Sequence, residues 1–152
     1  MAVVISEERP DTADAAGLIA ELDSILEPLY RQESRHGYSV EKLLREGVAF
    51  FVVRVDGAPA GCGGVKVVGD EYGEIKRMYV RPTFRGRGLG RLLLVHFAAY
   101  ARGRDLNVLR LETGIHQVEA IRLYEGFGFT RIRPFGLYRE DPVSLCFEKR
   151  LA

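Results

Sequence analysis

Arg81, Arg85, Arg87 and Arg91 crowd one short segment, and Gly86, Gly88 and Gly90 are interleaved with them. The residues that follow, Leu89 to Arg102, carry apolar side chains at helical spacing, so the glycines fall where a helix begins. The first turn of a helix has backbone N–H groups without internal partners and about half a positive charge from the aligned peptide dipoles. Glycine lets the backbone approach a ligand closely and adopt positive φ. Arginine adds charged, forked donors. Together these make an anion site, most naturally for a phosphate or pyrophosphate. Two other readings of the same residues stay open: a tight strand-to-helix turn with solvated arginines, and a nucleic-acid patch. Against the second, a stacking platform for bases is missing, because only Phe84 interrupts the run. The P-loop pattern Gly-x-x-x-x-Gly-Lys-Ser/Thr is absent, as is a Gly-x-Gly-x-x-Gly within a repeated parallel βαβ unit.

The rest of the composition does not account for those arginines. The chain has 152 residues, 47% hydrophobic and 28% charged, with a formal net charge of +1. This predicts a single domain, residues 1–152, with no global pull towards nucleic acid or an anionic membrane. Cys62 and Cys146 form neither a disulfide framework nor a metal-site spacing, so two buried thiols and no metal are expected. No signal-like segment is visible and no apolar run reaches the ~20 residues of a membrane span. A cytoplasmic protein with no membrane partner is the expectation.

The elements that must carry the loop can be read from the pattern. Ala2–Arg9 reads as a strand. Asp11 or Thr12 caps a helix over Ala13–Tyr30, and a second, short helix covers Ser39–Gly47. The run "VAFFVVRVD" is too continuously apolar for a strand with one wet face. A hairpin turn at Asp56–Pro59 leads into "AGCGGVKVVGD" and then "EYGEIKRMYV". A helix at Leu89–Arg102, the strand "NVLRLETG", a helix in "HQVEAIRLYEGFG" and two last strands, "TRIRPFG" and "SLCFEKRL", complete the chain. The order β-α-α-β-β-β-α-β-α-β-β predicts an α/β (α+β) fold: a mostly antiparallel mixed sheet flanked by about four helices. In "EIKRMYV" the apolar positions Ile75, Met78 and Val80 break the two-residue period, and a β-bulge near Lys76-Arg77 explains the slip.

With the loop placed between this strand and this helix, "VRPTFRGRGLGRLLL" resembles the acetyl-coenzyme A loop of the GCN5-related N-acetyltransferase (GNAT) family, Arg/Gln-x-x-Gly-x-Gly/Ala, with Arg85, Gly88 and Gly90 at its fixed positions. "EAIRLYEGFGF", Glu119 to Phe129, resembles the family's second signature, and the order of elements matches over nearly the whole chain. The resemblance implies acetyl-CoA as cosubstrate. The backbone of Arg85, Gly86, Arg87, Gly88, Leu89 and Gly90 would hold its pyrophosphate, and that of Met78, Tyr79 and Val80 would pair with the pantetheine arm. The bulge would help part this strand from the strand of Leu111. Gln117 stands where many relatives have a coenzyme-contacting asparagine.

Acetyl transfer to an amine requires a neutral amine, a stabilised oxyanion and a proton for the departing thiolate; in the family the amine attacks the thioester directly. The resemblance implies Tyr124 as the acid, its phenol near ~10 being protonated at neutral pH. Glu74, eleven residues before Arg85, matches a base glutamate of some relatives. Glu112 competes, because it alternates with Leu109 and Leu111 and so points away from their face; His116 is a third candidate. The N–H of Tyr79 or Val80 would serve the oxyanion. Tyr30, Arg35, His36 and Tyr38 on one side and Tyr138 on the other would line the acceptor pocket. Arg31 and Arg35 in the first wall and Arg139 in the second suggest a carboxylate-bearing small amine or amino acid, while a protein N-terminus or lysine stays open. A non-catalytic acyl-CoA sensor is the rival function, and a homodimer through the last strands is possible.

Overall fold

The structure, a computed structural model, describes residues 2–35 and 37–151. His36 therefore lies outside the described residues. The chain forms β1 (Val3–Glu7), α1 (Ala13–Leu26), α2 (Val40–Arg45), β2 (Ala49–Val55), β3 (Ala58–Val68), β4 (Tyr72–Val80), α3 (Leu89–Gly103), β5 (Val108–Gly114), α4 (Val118–Phe127), β6 (Thr130–Ile132) and β7 (Ser144–Arg150). The order is the expected one, and the mixed α/β fold is as read from the sequence. The seven strands make one sheet in the order β1-β2-β3-β4-β5-β7-β6. Its neighbours are antiparallel except for β4 and β5, which run parallel.

Helices cover both faces, which explains the unbroken apolar run of β2. Phe50 and Val52 cluster with Leu18 and Leu22 of α1 and Leu43 of α2. Phe51, Val53 and Val55 cluster with Leu93, Leu94 and Phe97 of α3. Alternation along one strand thus feeds two cores. α1 starts at a Thr12 cap, whose Oγ1 accepts from the Ala15 N–H at 3.2 Å. It ends at Leu26 rather than Tyr30 because Pro28 has no N–H to continue the ladder. β6 stops at Ile132, shorter than expected, with Pro134 just beyond.

The feature that opens the site is the parting of β4 from β5. The two pair only at Gly73–Leu109 and Glu74–Arg110, so β4 has a free edge from Ile75 onward. On its other side β4 stays paired with β3, but Gly64 meets Lys76 and Cys62 meets Tyr79, leaving Arg77 and Met78 opposite the single residue Gly63. This is the bulge, with Arg77 at φ 55. Beyond it, Met78 and Val80 pack on the same core as Ile75, whereas Tyr79 joins the α1 side. Arg77 is buried and pins the bulge to α1: its Nη2 donates to the Ile19 carbonyl at 3.2 Å and to Asp23 Oδ1 at 2.6 Å.

Candidate active site

The gap between β4 and β5 opens into a cavity of about 730 Å³, within the usual range for small-molecule sites. At one end is the start of α3. Gly86 and Gly88 both have positive φ, at 79° and 76°, and Gly88 caps the helix without any side-chain oxygen. The N–H groups of Gly86, Gly88, Leu89 and Gly90 have no backbone acceptor among the described residues, as expected of an uncapped first turn. Gly90 serves packing instead: an added Cβ would lie 2.6 Å from Leu123 Cδ2 of α4. Arg85 Nε donates to the Val80 carbonyl at 3.3 Å and its Nη1 lies 3.6 Å from Glu119. Arg91, the last of the clustered arginines, also lines the cavity. Arg87 does not; its guanidinium lies 5.2 Å from the Phe84 ring centroid.

Midway sit the titratable groups. Glu112 and Tyr124 both line the cavity. Glu112 accepts from Ser144 Oγ at 2.5 Å. Tyr124 is buried against Phe129 and Phe147, and its hydroxyl makes no hydrogen bond among the described residues. Burial, with the Glu112 charge second, pushes the Tyr124 phenol well above its ordinary value. The same carboxylate also raises Tyr30 and Tyr138, as a lesser cause behind burial, which places it electrostatically among three tyrosines. Glu74 is placed differently from the expectation of a cavity-facing base. It is buried but does not line the cavity; Lys76 Nζ lies 2.7 Å from its Oε2, and the Tyr138 hydroxyl donates to it at 2.6 Å. Lys76 and Tyr138 do line the cavity, and Lys76 Nζ donates to Tyr138 at 2.8 Å. Burial lowers the Lys76 ammonium, with Glu74 opposing.

The far wall comes from the segment after α1. Tyr30 lines the cavity, donates to Gln117 Oε1 at 2.7 Å and accepts from the His116 N–H at 2.9 Å. It occupies the space where Gly114 would carry a Cβ, so a residue of the "LETG" strand proves essential to the wall. Gln117, also lining the cavity, begins α4; His116 is exposed beside it. Arg35 lines the cavity, with Nε buried and unpartnered. Tyr38 corrects the sequence reading: it does not line the cavity. It precedes the Ser39 cap of α2 and packs with Leu43 in the α1–α2 core, the arrangement of a hydrophobic staple. Lys42 and Lys76 lie 4.1 and 4.0 Å from its ring centroid.

Unpaired amides, a free strand edge and a buried phenol in one cleft fit a cosubstrate that joins a diphosphate to an amide-bearing arm. The sequence profile of the Acetyltransferase (GNAT) family matches residues 19–129. This chain belongs to the GNAT family of acetyltransferases. It is accordingly an acetyl-CoA-dependent N-acetyltransferase. It is similar to an "IAA acetyltransferase" of Azospirillum brasilense, 42% identical over 150 residues, 98% of each chain. A solved structure from Klebsiella pneumoniae, assigned as an acyl-CoA N-acyltransferase, superposes with a TM-score of 0.84 at 36% identity, covering 99% of this chain and 98% of that one. The PaiA N-acetyltransferase of Thermoplasma acidophilum, in complex with coenzyme A, shares the fold at 20% identity with a TM-score of 0.76, covering 99% of each. Among the described residues no helix is long and apolar enough to cross a membrane, and no cluster of three or more metal-ligating side chains occurs.

Proposed function

We propose that this GNAT enzyme acetylates the primary amine of a small acceptor, an amine or amino acid, which attacks directly within a ternary complex. One observation carries the reading: a single cavity runs from the unpaired amides at α3, along the free edge of β4 past Glu112 and Tyr124, to the segment after α1. Acetyl-CoA, when bound, supplies an acyl group already activated as a thioester.

The chain's own residues supply the rest. The N–H groups of Gly86, Gly88, Leu89 and Gly90 are the diphosphate donors, and the peptide groups of Met78 to Val80 hold the arm. The Arg81 N–H donates to Ala60 of β3, so strand alternation turns the Val80 N–H into the gap, where it serves the carbonyl oxygen as charge develops. Glu112 draws the ammonium form of the acceptor and takes its proton through water, since a carboxylate near ~4.3 is a weak base at neutral pH on its own. Glu74 acts behind Lys76 and Tyr138 by fixing them. Tyr124 keeps its proton at pH 7 and offers it to the departing sulfur.

Thermal unfolding with and without acetyl-CoA, combined with thiol release across a panel of amines, tests this. Acetyl-CoA should raise the melting temperature by mass action, and at least one small amine should release thiol. Binding without turnover on any amine or peptide would instead favour an acyl-CoA sensor.

A further inference from the structure

We propose that the acceptor carries a carboxylate as well as its amine, and that Arg35 is the residue that holds it. This rests on the amine-acetylating reading of the cavity. Three cations around the acceptor half of the cavity are used differently. Arg77 meets Asp23 at 2.6 Å, and Lys76 meets Glu74 at 2.7 Å. Each of these charges is matched within the protein, although Arg77 also leaves its Nε without a partner. The carboxylate that Arg35 faces, Glu27, is 3.9 Å away and 64% exposed, while Arg35 is 30% exposed. The Arg35 Nε is buried without an acceptor. A guanidinium in that state gains most from a ligand that brings two coplanar oxygens, which is what a carboxylate offers.

The turn that carries it is held in place before any ligand arrives. The Arg35 N–H donates to the Gln32 carbonyl at 3.2 Å. The neighbouring Ser34 Oγ donates to Asp141 Oδ2 at 2.7 Å, tying this turn to the loop between β6 and β7. Across the same cavity lies Glu112. One loosely paired cation and one carboxylate facing a shared space complement a zwitterion: ammonium towards Glu112, carboxylate towards Arg35. The carboxylates of Asp23, Glu27 and Glu112 nearby disfavour a dianion such as a phosphate ester, and leave a monoanion as the fitting class.

The test compares amino acids with their own amides and decarboxylated amines, in the wild-type enzyme and in Arg35→Gln and Arg35→Lys. Thiol release gives kcat/KM, and calorimetry on the coenzyme A-loaded protein gives acceptor affinity without turnover. The best amino acid should exceed its neutral counterparts by at least about tenfold, as loss of a charged hydrogen bond implies. Arg35→Gln should abolish that gap, mainly through KM and the calorimetric affinity. Arg35→Lys should fall between, because an ammonium cannot make the paired contact. The melting-temperature rise with acetyl-CoA should be unchanged in both variants. Neutral amines that serve as well as amino acids, or an equal loss for both in Arg35→Gln, overturn the inference while leaving amine acetylation standing. If Arg35→Gln does not fold, the wild-type comparison alone decides. Absence of transfer to any small amine, with coenzyme binding intact, overturns the small-amine reading and this inference together.

Discussion

Replacing Gly114 by alanine tests how the Tyr30 wall of the cavity is joined to α4. Tyr30 fills the space beside Gly114, so the new methyl would overlap its hydroxyl and ring. Tyr30 must then leave, and its hydrogen bonds to Gln117 at 2.7 Å and from His116 at 2.9 Å go with it. At about 1 kcal/mol each, plus about 1 kcal/mol of ring burial, Gly114→Ala should cost roughly 2–4 kcal/mol. For a chain of this size each kcal/mol is worth about 2–4 °C, so the melting temperature should fall by roughly 4–16 °C. Tyr30→Phe removes the two hydrogen bonds alone and should cost about 2 kcal/mol. In a Tyr30→Ala background the overlap is gone, and Gly114→Ala should then change stability by less than about 0.5 kcal/mol. Urea unfolding of the four proteins closes the cycle. Additive losses, with Gly114→Ala as costly without the Tyr30 ring as with it, would refute the reasoning.

Three further outcomes follow from the site. Tyr124→Phe should lower kcat by roughly 10²–10⁴ with little change in acetyl-CoA affinity; stopped assays and calorimetry separate the two, and equal losses would remove the acid role. Gly90→Ala should force Leu123 to move from its 2.6 Å approach and cost about 1–3 kcal/mol by overpacking, read as a lower urea midpoint; an unchanged midpoint would show that α3 and α4 do not touch there. Burial pushes the Cys62 thiol up to about 12. A group raised on folding gives full stability below its unfolded value and loses it as pH climbs towards the folded one. Stability should therefore decline from about pH 9 upward, by as much as about 1.4 kcal/mol per pH unit from this thiol. Tyr124 and Tyr138, also raised, add to the decline above about pH 10. Urea midpoints at pH 7.5, 9.5 and 10.5 check this, and Cys62→Ala should make the first part of the slope shallower, leaving the share of Cys146, whose thiol is also raised by burial.

The fold was legible because each element signals itself locally. Ser39 and Thr12 cap helices, and the slipped phase at Ile75, Met78 and Val80 betrays the bulge. The glycine-arginine end of the cavity, proposed for the coenzyme, was legible for the same reason, being one contiguous loop and helix start. The opposite end, proposed for the acceptor, was not, because it is assembled across distance. Glu74 was read as a base from its spacing to Arg85, but it does not line the cavity, and Tyr138, 64 residues away, donates to it. Tyr38 was read as a wall residue, yet as the residue before a helix cap it turns inward to pack with Leu43. Nothing in "LETG" reveals that Tyr30 fills the space beside its glycine. Such contacts depend on how α1 and the β6–β7 loop fold over the sheet, which no short window of sequence contains.

The Arg77 strap ties two dimensions of the pocket to one lever. The residue whose positive φ makes the bulge beside the free edge of β4 is also the one whose guanidinium grips the Ile19 carbonyl and Asp23 on α1. A shift of α1 would therefore pull on the kink and alter the gap between β4 and β5. The Arg35 turn and the Tyr138 loop are tied in as well: Arg35 faces Glu27 at the end of α1, and Tyr138 accepts from Lys76, the residue before the kink, so a change in either wall of the cavity reaches the same gap.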